Sequence, residues 1–308
     1  MNKISLWKSF IGSPSSCDYE KTVKFLNEYE YDGVIYEYYH QANGVDGEGN
    51  VTYQEVVVSR PKNLSGKAPA VVVPFYFAEH MLGFNPKTGE KHDNFNKYSF
   101  ASELSKLGFI TITAEAYYLT YIRDDSIDRL DYYRWGRCGE KLIKDHPNWS
   151  GVGKLVSDTM LLVDFLVQDQ RVDSDKIGIM GHSLGGKMAF YTGCLDERIK
   201  VIVASDFGIL YDQTNWQDVW YWGDKLEKIK ENDLSHKDLL EYANKKPFLL
   251  IAGLYDNDDS RKLLHSIGCY KDCYDKLLVI DHKTGHNPPV YTRDAAYSFI
   301  KYHLFKGE

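Results

Sequence analysis

From residue 69 onward, the sequence alternates between short apolar runs and segments with the apolar spacing of a helix. The apolar runs are 70–74, 109–114, 176–180, 201–204, 248–252 and 276–280. The segments with helical spacing are 99–107, 152–168, 184–195, 260–267 and 293–304. Strands buried on both faces have such continuous apolar runs, and intervening helices connect parallel neighbours. The alternation therefore predicts an α/β fold with a mostly parallel central sheet covered by helices.

The amino-terminal part has a different pattern. Residues 33–40 and 51–60 are rich in β-branched and aromatic side chains, and a Gly/Asn/Asp-rich stretch separates them. This predicts an antiparallel hairpin, whereas the apolar spacing over 19–29 is compatible with a short helix. We expect a single domain over residues 1–308, with an extension and hairpin at about 1–68 and an aromatic-rich, cap-like insert at about 208–245.

Composition narrows the classes of partner. A chain of 308 residues with 43% hydrophobic side chains can bury a large core without disulfides or metal. A net charge of −7 argues against a nucleic-acid or anionic-membrane surface, and no apolar run approaches the ~18 residues of a membrane span. Lys8 interrupts any secretory signal, and the five cysteines are an odd, sparse set, so we expect a cytoplasmic protein with reduced thiols.

The strongest local signal is Gly-His-Ser-Leu-Gly-Gly at residues 181–186, between a predicted strand and a predicted helix. Gly-x-Ser-x-Gly in this context is typical of a nucleophile on a tight strand-to-helix turn, where only glycine leaves room for the neighbouring elements. The motif makes Ser183 the candidate nucleophile. His182 and Lys187, which lie beside it, are interpreted as structural.

A serine hydroxyl needs a base and an orienting acid, and in this fold the expected chain order is Ser, Asp or Glu, then His. His286 follows the last predicted strand in a Thr-Gly-His-Asn-Pro-Pro loop and is the favoured base, with His282 as the alternative. For the acid we favour Asp256, which ends the strand 248–252 in a Gly-x-x-Asp pattern. The alternatives are Asp258, Asp259 and, after the preceding strand, Asp206.

An oxyanion hole requires two converging N–H donors. One is expected from the backbone of Leu184, which follows the nucleophile. The other is expected from the loop after the run 70–74, where Tyr76 is the first choice and Phe77 the alternative.

These residues resemble the α/β-hydrolase superfamily. The stretch 172–187, continuing through Asp-Glu-Arg-Ile near residue 198, is similar to its dienelactone-hydrolase-like and acetyl-xylan-esterase-like branch. The resemblance covers about residues 69–305. It implies ester hydrolysis through an acyl-serine intermediate, without metal or organic cofactor, and it is much less specific for the substrate. We expect a small-molecule or carbohydrate ester; the sequence does not indicate the oligomeric state.

Two aromatic-rich stretches follow predicted strand ends, at 117–150 and 208–245. Loops at such ends form sites in open α/β sheets. Trp216, Trp220 and Trp222 in the second stretch are therefore candidate substrate-binding residues, although packing of the insert on its own core explains them equally well.

Other readings are weaker. Only eight residues separate Cys269 and Cys273 from His282 and His286, where zinc fingers have about a dozen, so a zinc site is disfavoured. A non-catalytic ligand-binding protein of this fold usually lacks a triad member, whereas all three are available here. A thioesterase stays open. The upstream part is too short for the propeller of a prolyl-oligopeptidase-type peptidase, and Ser183 argues against families with an aspartate nucleophile.

Overall fold

The computed structural model describes residues 2–15, 18–92, 98–122, 126–243, 246–267 and 276–305. Its strands, in chain order, are β1 (Val23–Tyr31), β2 (Val34–Val45), β3 (Val51–Pro61), β4 (Ala68–Val72), β5 (Ile110–Ala114), β6 (Val172–His182), β7 (Ile199–Ser205), β8 (Phe248–Ala252) and β9 (Leu277–Asp281). Its helices are α1 (Lys3–Ile11), α2 (Phe100–Lys106), α3 (Tyr117–Thr120), α4 (Tyr132–Asp145), α5 (Gly151–Gln168), α6 (Leu184–Leu195), α7 (Lys225–Glu231), α8 (His236–Tyr242), α9 (Asp258–Ser266) and α10 (Val290–Phe305), with a 3₁₀ turn at Ala78–Met81.

In the described part of the chain, the strands form one nine-stranded sheet in the order β1-β2-β3-β5-β4-β6-β7-β8-β9. The pairs β1–β2, β2–β3 and β3–β5 are antiparallel. The remaining five pairs, from β5–β4 to β8–β9 in the order of the sheet, are parallel. β4 and β8 are buried along their whole length. The predicted α/β fold is therefore confirmed.

The predicted hairpin is present as β2 and β3, but the helix expected over 19–29 is wrong. That segment forms β1, an edge strand whose residues are mostly exposed. Asp32 and Gly33 connect it to β2 with φ of 50° and 78°. A two-residue Asp-Gly connection with both φ positive is a hairpin turn, and it fixes an antiparallel pair here in place of a helix.

Helices cover both faces of the sheet. Apolar side chains of α2 and α10 pack on one face, while those of α1, α5 and α6 pack on the other. No helix among the described residues has both the length and the apolar character needed to cross a bilayer. The carboxyl ends of the parallel strands meet at one edge of the sheet, where the loops after β4, β6, β7 and β8 converge.

The amino-terminal helix belongs to the main core. Trp7 of α1 is fully buried, and its ring lies 6.0 Å from the ring of Tyr191 on α6 and 5.9 Å from that of Trp222. It also stacks on His236 at 6.0 Å. The first helix therefore supports the helix that follows Ser183.

The segment between β7 and β8 is a series of turns followed by α7 and α8. Trp216 and Trp222 in these turns are fully buried in the same core as α6. Much of the aromatic content of this insert therefore packs against the sheet domain.

Candidate active site

Ser183 lies between β6 and α6 with φ 55° and ψ −118°, a backbone conformation that is strained for any residue except glycine. A Cβ atom on Gly181 would lie 1.9 Å from the Gly185 carbonyl oxygen, and one on Gly185 would lie 2.1 Å from the Pro74 carbonyl oxygen. Glycine is therefore required on both sides of the serine, as the motif predicts. The turn presents the hydroxyl at the amino terminus of α6, where the helix dipole favours negative charge.

His286 is hydrogen bonded to a carboxylate. Its Nδ1 lies 2.6 Å from Oδ2 of Asp206, which directly follows β7 and is fully buried. Asp206 also accepts the backbone N–H groups of residues 253–256 at 2.8–3.1 Å. Because a carboxylate oxygen accepts hydrogen bonds, we assign the His286 proton to Nδ1, which leaves Nε2 as the basic nitrogen.

The prediction that Asp256 orients the histidine is wrong. One oxygen of Asp256 accepts the amides of Phe207 and Gly208, at 2.9 and 3.1 Å. The other accepts the Ile209 amide at 2.7 Å and the Ser260 hydroxyl at 3.1 Å. Both oxygens are committed to the neighbouring loop. Burial, with a further contribution from the Asp206 charge, raises the pKa of Asp256 to about 6.

Asp258 and Asp259, the nearby alternatives, belong to the first turn of α9 and pair there with Arg261 and Lys262. Of the four carboxylates weighed from the sequence, Asp206 is the one that contacts His286. Asp206 was the alternative in the loop after β7, and the sequence alone did not favour it.

His282 points to a different partner. Its Nδ1 lies 2.7 Å from the Thr284 hydroxyl, and its ring packs against Gly253, where a Cβ would lie 2.9 Å from Nε2. Burial lowers the pKa of His282. Cys269 and Cys273, the other half of the zinc hypothesis, lie outside the described residues. In the described ranges, no group of three or more His, Cys, Asp or Glu side chains is arranged to hold a metal ion.

The two residues predicted to supply the oxyanion hole lie beside the serine. Leu184 begins α6, and the first amides of a helix have no partner within the helix. Tyr76 belongs to the loop after β4, which approaches Gly185 closely through Pro74. Burial raises the pKa of Tyr76 above its usual value of 10, and a hydrogen-bonding interaction with Ser183 partly offsets that rise.

Ser183 and Asp206 line a pocket of about 460 Å³. Its aromatic lining consists mainly of Tyr76, Tyr132, Trp135, Trp220, Tyr221 and Tyr255. Several of these rings are stacked in pairs. The ring centres of Tyr76 and Trp135 lie 5.1 Å apart, and those of Tyr132 and Trp220 lie 6.0 Å apart. The volume is that of a small-molecule site.

Only one of the three predicted substrate-binding tryptophans lines this pocket. Trp220 does so. Trp216 is buried behind the wall, where its Nε1 donates to the Gly208 carbonyl at 2.7 Å. Trp222 is buried against Trp7. The substrate-binding expectation for Trp216 and Trp222 is therefore corrected to core packing.

Polar side chains form another part of the pocket lining: Lys187, Thr214, Asn215 and Asp218. The Lys187 Nζ lies 3.2 and 3.3 Å from the side-chain oxygens of Thr214 and Asn215, and 4.3 Å from the centre of the Trp216 ring. Burial lowers the pKa of Lys187 to about 7. Lys187 was interpreted as structural from the sequence, but it faces the space next to Ser183.

The sequence also missed Tyr132 and Trp135, which reach the pocket from α4. Their stretch, 117–150, was recognised as aromatic-rich, but no residue in it was assigned. The available signal was its position directly after β5, since loops at that edge surround the site.

A strained serine between a strand and a helix, in one pocket with the aspartate that holds a histidine from the last loop, defines the chain as an α/β-hydrolase. The sequence model of the dienelactone hydrolase family matches residues 55–218, more than half of the chain. The chain therefore belongs to the dienelactone hydrolase family, and by class it is a hydrolase. The model of the prolyl oligopeptidase family matches residues 150–294.

Individual relatives are distant. The chain is 24% identical over 260 residues to the Bacillus subtilis protein named "Putative hydrolase YtaP", covering 79% of this chain and 81% of the relative. A glucuronoyl esterase from Solibacter usitatus superposes with a TM-score of 0.71 at 11% identity, over 98% of this chain and 91% of that one. A glucuronoyl esterase from Teredinibacter turnerae gives 0.70 at 14% identity, over 97% and 83%. At these identities the superpositions establish a shared fold.

Proposed function

We propose that the protein is a serine ester hydrolase that acts through an acyl-enzyme on Ser183. In this proposal His286 is the base, Asp206 orients it, and the backbone amides of Leu184 and Tyr76 bind the oxyanion. The observation that carries the proposal is the His286–Asp206 hydrogen bond of 2.6 Å, because Asp206 lines the same pocket as Ser183.

The chemistry follows from these positions. Nε2 of His286 accepts the hydroxyl proton as Oγ of Ser183 forms a bond to the ester carbonyl carbon. The resulting oxyanion is stabilised by the two amides. The imidazolium then protonates the leaving alcohol as its C–O bond breaks, which leaves an acyl-serine. Water attacks that ester in the same way, and the second collapse releases the acid and restores the serine.

The pocket lining supports a carbohydrate ester as the substrate. Aromatic faces such as those of Trp135 and Trp220 suit the apolar C–H faces of a sugar, while Lys187, Asn215 and Asp218 suit its hydroxyl groups. The glucuronoyl esterases that share the fold are named for esters of this kind. A purely apolar acyl chain would leave the buried Lys187 amine without a polar neighbour from the substrate.

The test compares Ser183→Ala with Ser298→Ala, a matched serine-to-alanine change on the exposed side of α10. The substrates are p-nitrophenyl acetate, an acetylated xylo-oligosaccharide and a methyl ester of glucuronic acid. We expect turnover of at least one carbohydrate ester by the unmodified protein and by Ser298→Ala. In Ser183→Ala, kcat should fall by roughly 10⁴-fold or more, as in other serine hydrolases that lose the nucleophile.

A fluorophosphonate probe separates an enzyme from a ligand-binding protein of the same fold. The probe should label Ser183 stoichiometrically, and the label should be lost in Ser183→Ala. Full activity in that variant, or an unmodified protein that is neither labelled nor active on any ester, would remove the proposal.

A peptidase is the second candidate, because the prolyl oligopeptidase model matches residues 150–294. It uses the same nucleophile and differs in the leaving group. Adding an X-Pro p-nitroanilide and an acyl thioester to the substrate panel distinguishes an esterase, a peptidase and a thioesterase. Faster cleavage of the anilide favours the peptidase, and faster cleavage of the thioester favours the thioesterase.

A further inference from the structure

Three aromatic rings lie in contact beside the nucleophile. The His182 ring lies 4.7 Å from that of Tyr98, at an interplanar angle of 24°. The centre of the His182 ring lies 4.5 Å from that of the His286 ring, and the two planes are tilted by 39°. We call Tyr98, His182 and His286 the ring column. It ends at the imidazole that hydrogen bonds to Asp206.

The middle ring of the column is fixed from more than one side. His182 is 1% exposed, and its Nδ1 lies 3.0 Å from the hydroxyl of Ser205, the last residue of β7. Phe75, from the loop after β4, packs on it at 6.5 Å and 30°. As the last residue of β6, His182 has its backbone set by the central sheet, so its ring is a rigid surface.

The outer ring is connected to the loop that carries His286. The Tyr98 hydroxyl is hydrogen bonded to the side-chain oxygen of Asn287, the residue after His286. Tyr255 contacts the His286 ring from another direction, edge-on at 4.8 Å. The His286 loop is thus attached at both ends of the column, once through Asn287 and once through the imidazole itself.

His286 needs such support because its own environment is partly open. Its side chain is 28% exposed, whereas Asp206 is fully buried. The hydrogen bond to Asp206 does not by itself hold the plane of the ring, which can rotate about its side-chain bonds until Nδ1 leaves the carboxylate. The His182 ring, tilted by 39° with its centre 4.5 Å from that of His286, restricts this rotation and so fixes the direction in which Nε2 points. Misplacement by about 1 Å can cost roughly 100-fold in rate.

We propose that His182 is a positioning residue, whose ring packs against His286 and holds it in the orientation that keeps Nδ1 on Asp206 and directs Nε2 away from it. The relevant property of His182 is its flat aromatic face. The proposal rests on the proposed function for its kinetic consequence, but its structural consequence, the state of the His286 ring, can be measured without any substrate.

The test compares His182→Phe, which keeps a flat ring of similar size, with His182→Leu, which keeps apolar volume but has no flat ring. Two-bond ¹H–¹⁵N correlation spectra of protein with ¹⁵N-labelled histidine report which ring nitrogen of His286 carries the proton. The His286 signals are assigned by their absence in His286→Gln. The spectra are recorded at a pH at which His286 is neutral in every variant, established by titration.

We expect a single Nδ1–H form of His286 in the unmodified protein and in His182→Phe. In His182→Leu the nitrogen shifts should average between the two tautomers. On the best ester, His182→Leu should lose roughly 10- to 100-fold in kcat with KM changed less than about twofold, and His182→Phe should stay within about threefold of the unmodified protein.

Two outcomes overturn the proposal: His182→Leu keeps one tautomer and full kcat, or His182→Phe loses as much as His182→Leu. The second would assign the effect to the hydrogen bond with Ser205. If His182→Leu does not fold, Tyr98→Leu and Tyr98→Phe apply the same comparison at the other end of the column. Absence of esterase activity in the unmodified protein contradicts the proposed function, and the tautomer comparison then decides the positioning role alone.

Discussion

The loops after β7 and β8 each contain a buried aspartate, yet only one of the two carboxylates contacts the histidine. Asp206 accepts the amides of the β8 loop, and Asp256 accepts those of the β7 loop, so each side chain binds the backbone of the other loop. Both are completely buried. The two carboxylates differ in their side-chain hydrogen bonds: Asp206 contacts His286, whereas Asp256 accepts from the Ser260 hydroxyl.

This difference shows that position at the carboxyl edge of a parallel sheet does not by itself assign an acid. The edge brings both carboxylates to within reach of the same loops, and the pattern of backbone donors then decides which oxygen remains directed toward the histidine. Asp206 itself adopts φ 42°, a sharp bend immediately after β7 that turns its side chain across the β8 loop. The two carboxylates thus connect the two loops reciprocally, and Asp206 alone of the pair also contacts His286.

The largest expected effect is on Asp206. Asp206→Asn should lower kcat on the best ester by roughly 10⁴-fold, because an amide in place of the carboxylate favours the wrong histidine tautomer. The measurement is steady-state kinetics, with circular dichroism to establish that the variant is folded.

The matched variant Asp256→Asn should lose less than about tenfold in kcat, because Asp256 does not contact His286. Equal losses at the two positions would contradict the assignment of Asp206 and restore Asp256 as a candidate for the acid.

The next effect concerns pH. Burial raises the pKa of Asp256 from 3.8 to about 6, so its contribution to stability is complete below about pH 4 and is lost as the pH rises through 6. The free energy of unfolding of the unmodified protein, relative to Asp256→Ala, should therefore grow by roughly 2 to 3 kcal/mol between pH 7 and pH 4. Urea unfolding at the two pH values measures it. A difference that shrinks toward pH 4 would mean that the fold favours the ionised form.

The smallest expected effect is on Ser260, whose hydroxyl donates to Asp256 at 3.1 Å. Ser260→Ala should lower the free energy of unfolding by about 1 kcal/mol and leave kcat unchanged within twofold. Thermal unfolding, followed with the activity of the same sample, tests both parts. A loss of activity in protein that remains folded would indicate that the Ser260–Asp256 hydrogen bond also affects the position of His286.

The sequence predicted the elements of the sheet well because their patterns are local. The runs at 248–252 and 184–195 coincide with β8 and α6, and the glycines around Ser183 specify the turn through sterics alone. β1 was missed because its apolar spacing is ambiguous over a short stretch, and the Asp-Gly turn that resolves it was not used.

The site was harder to predict because it depends on contacts between distant segments. Asp206 directly follows β7 and Asp256 lies in the loop after β8, and both positions suit an acid; the choice between them depends on amides of another loop. The tryptophans pose the same problem. Trp216, Trp220 and Trp222 are close in the chain, but turns send one to the pocket and two to the core. Lys187 was taken for a structural residue because its helix position gives no indication that it faces the pocket.

The burial of Trp7 has a practical consequence for anyone who handles this protein. Its indole fills the space behind α6, against Tyr191 and Trp222. Deleting the first dozen residues would leave an indole-sized hole beneath the helix on which Ser183 is mounted. If such a shortened protein were inactive, the cause would be lost packing beneath α6, and the result would say nothing about the catalytic residues.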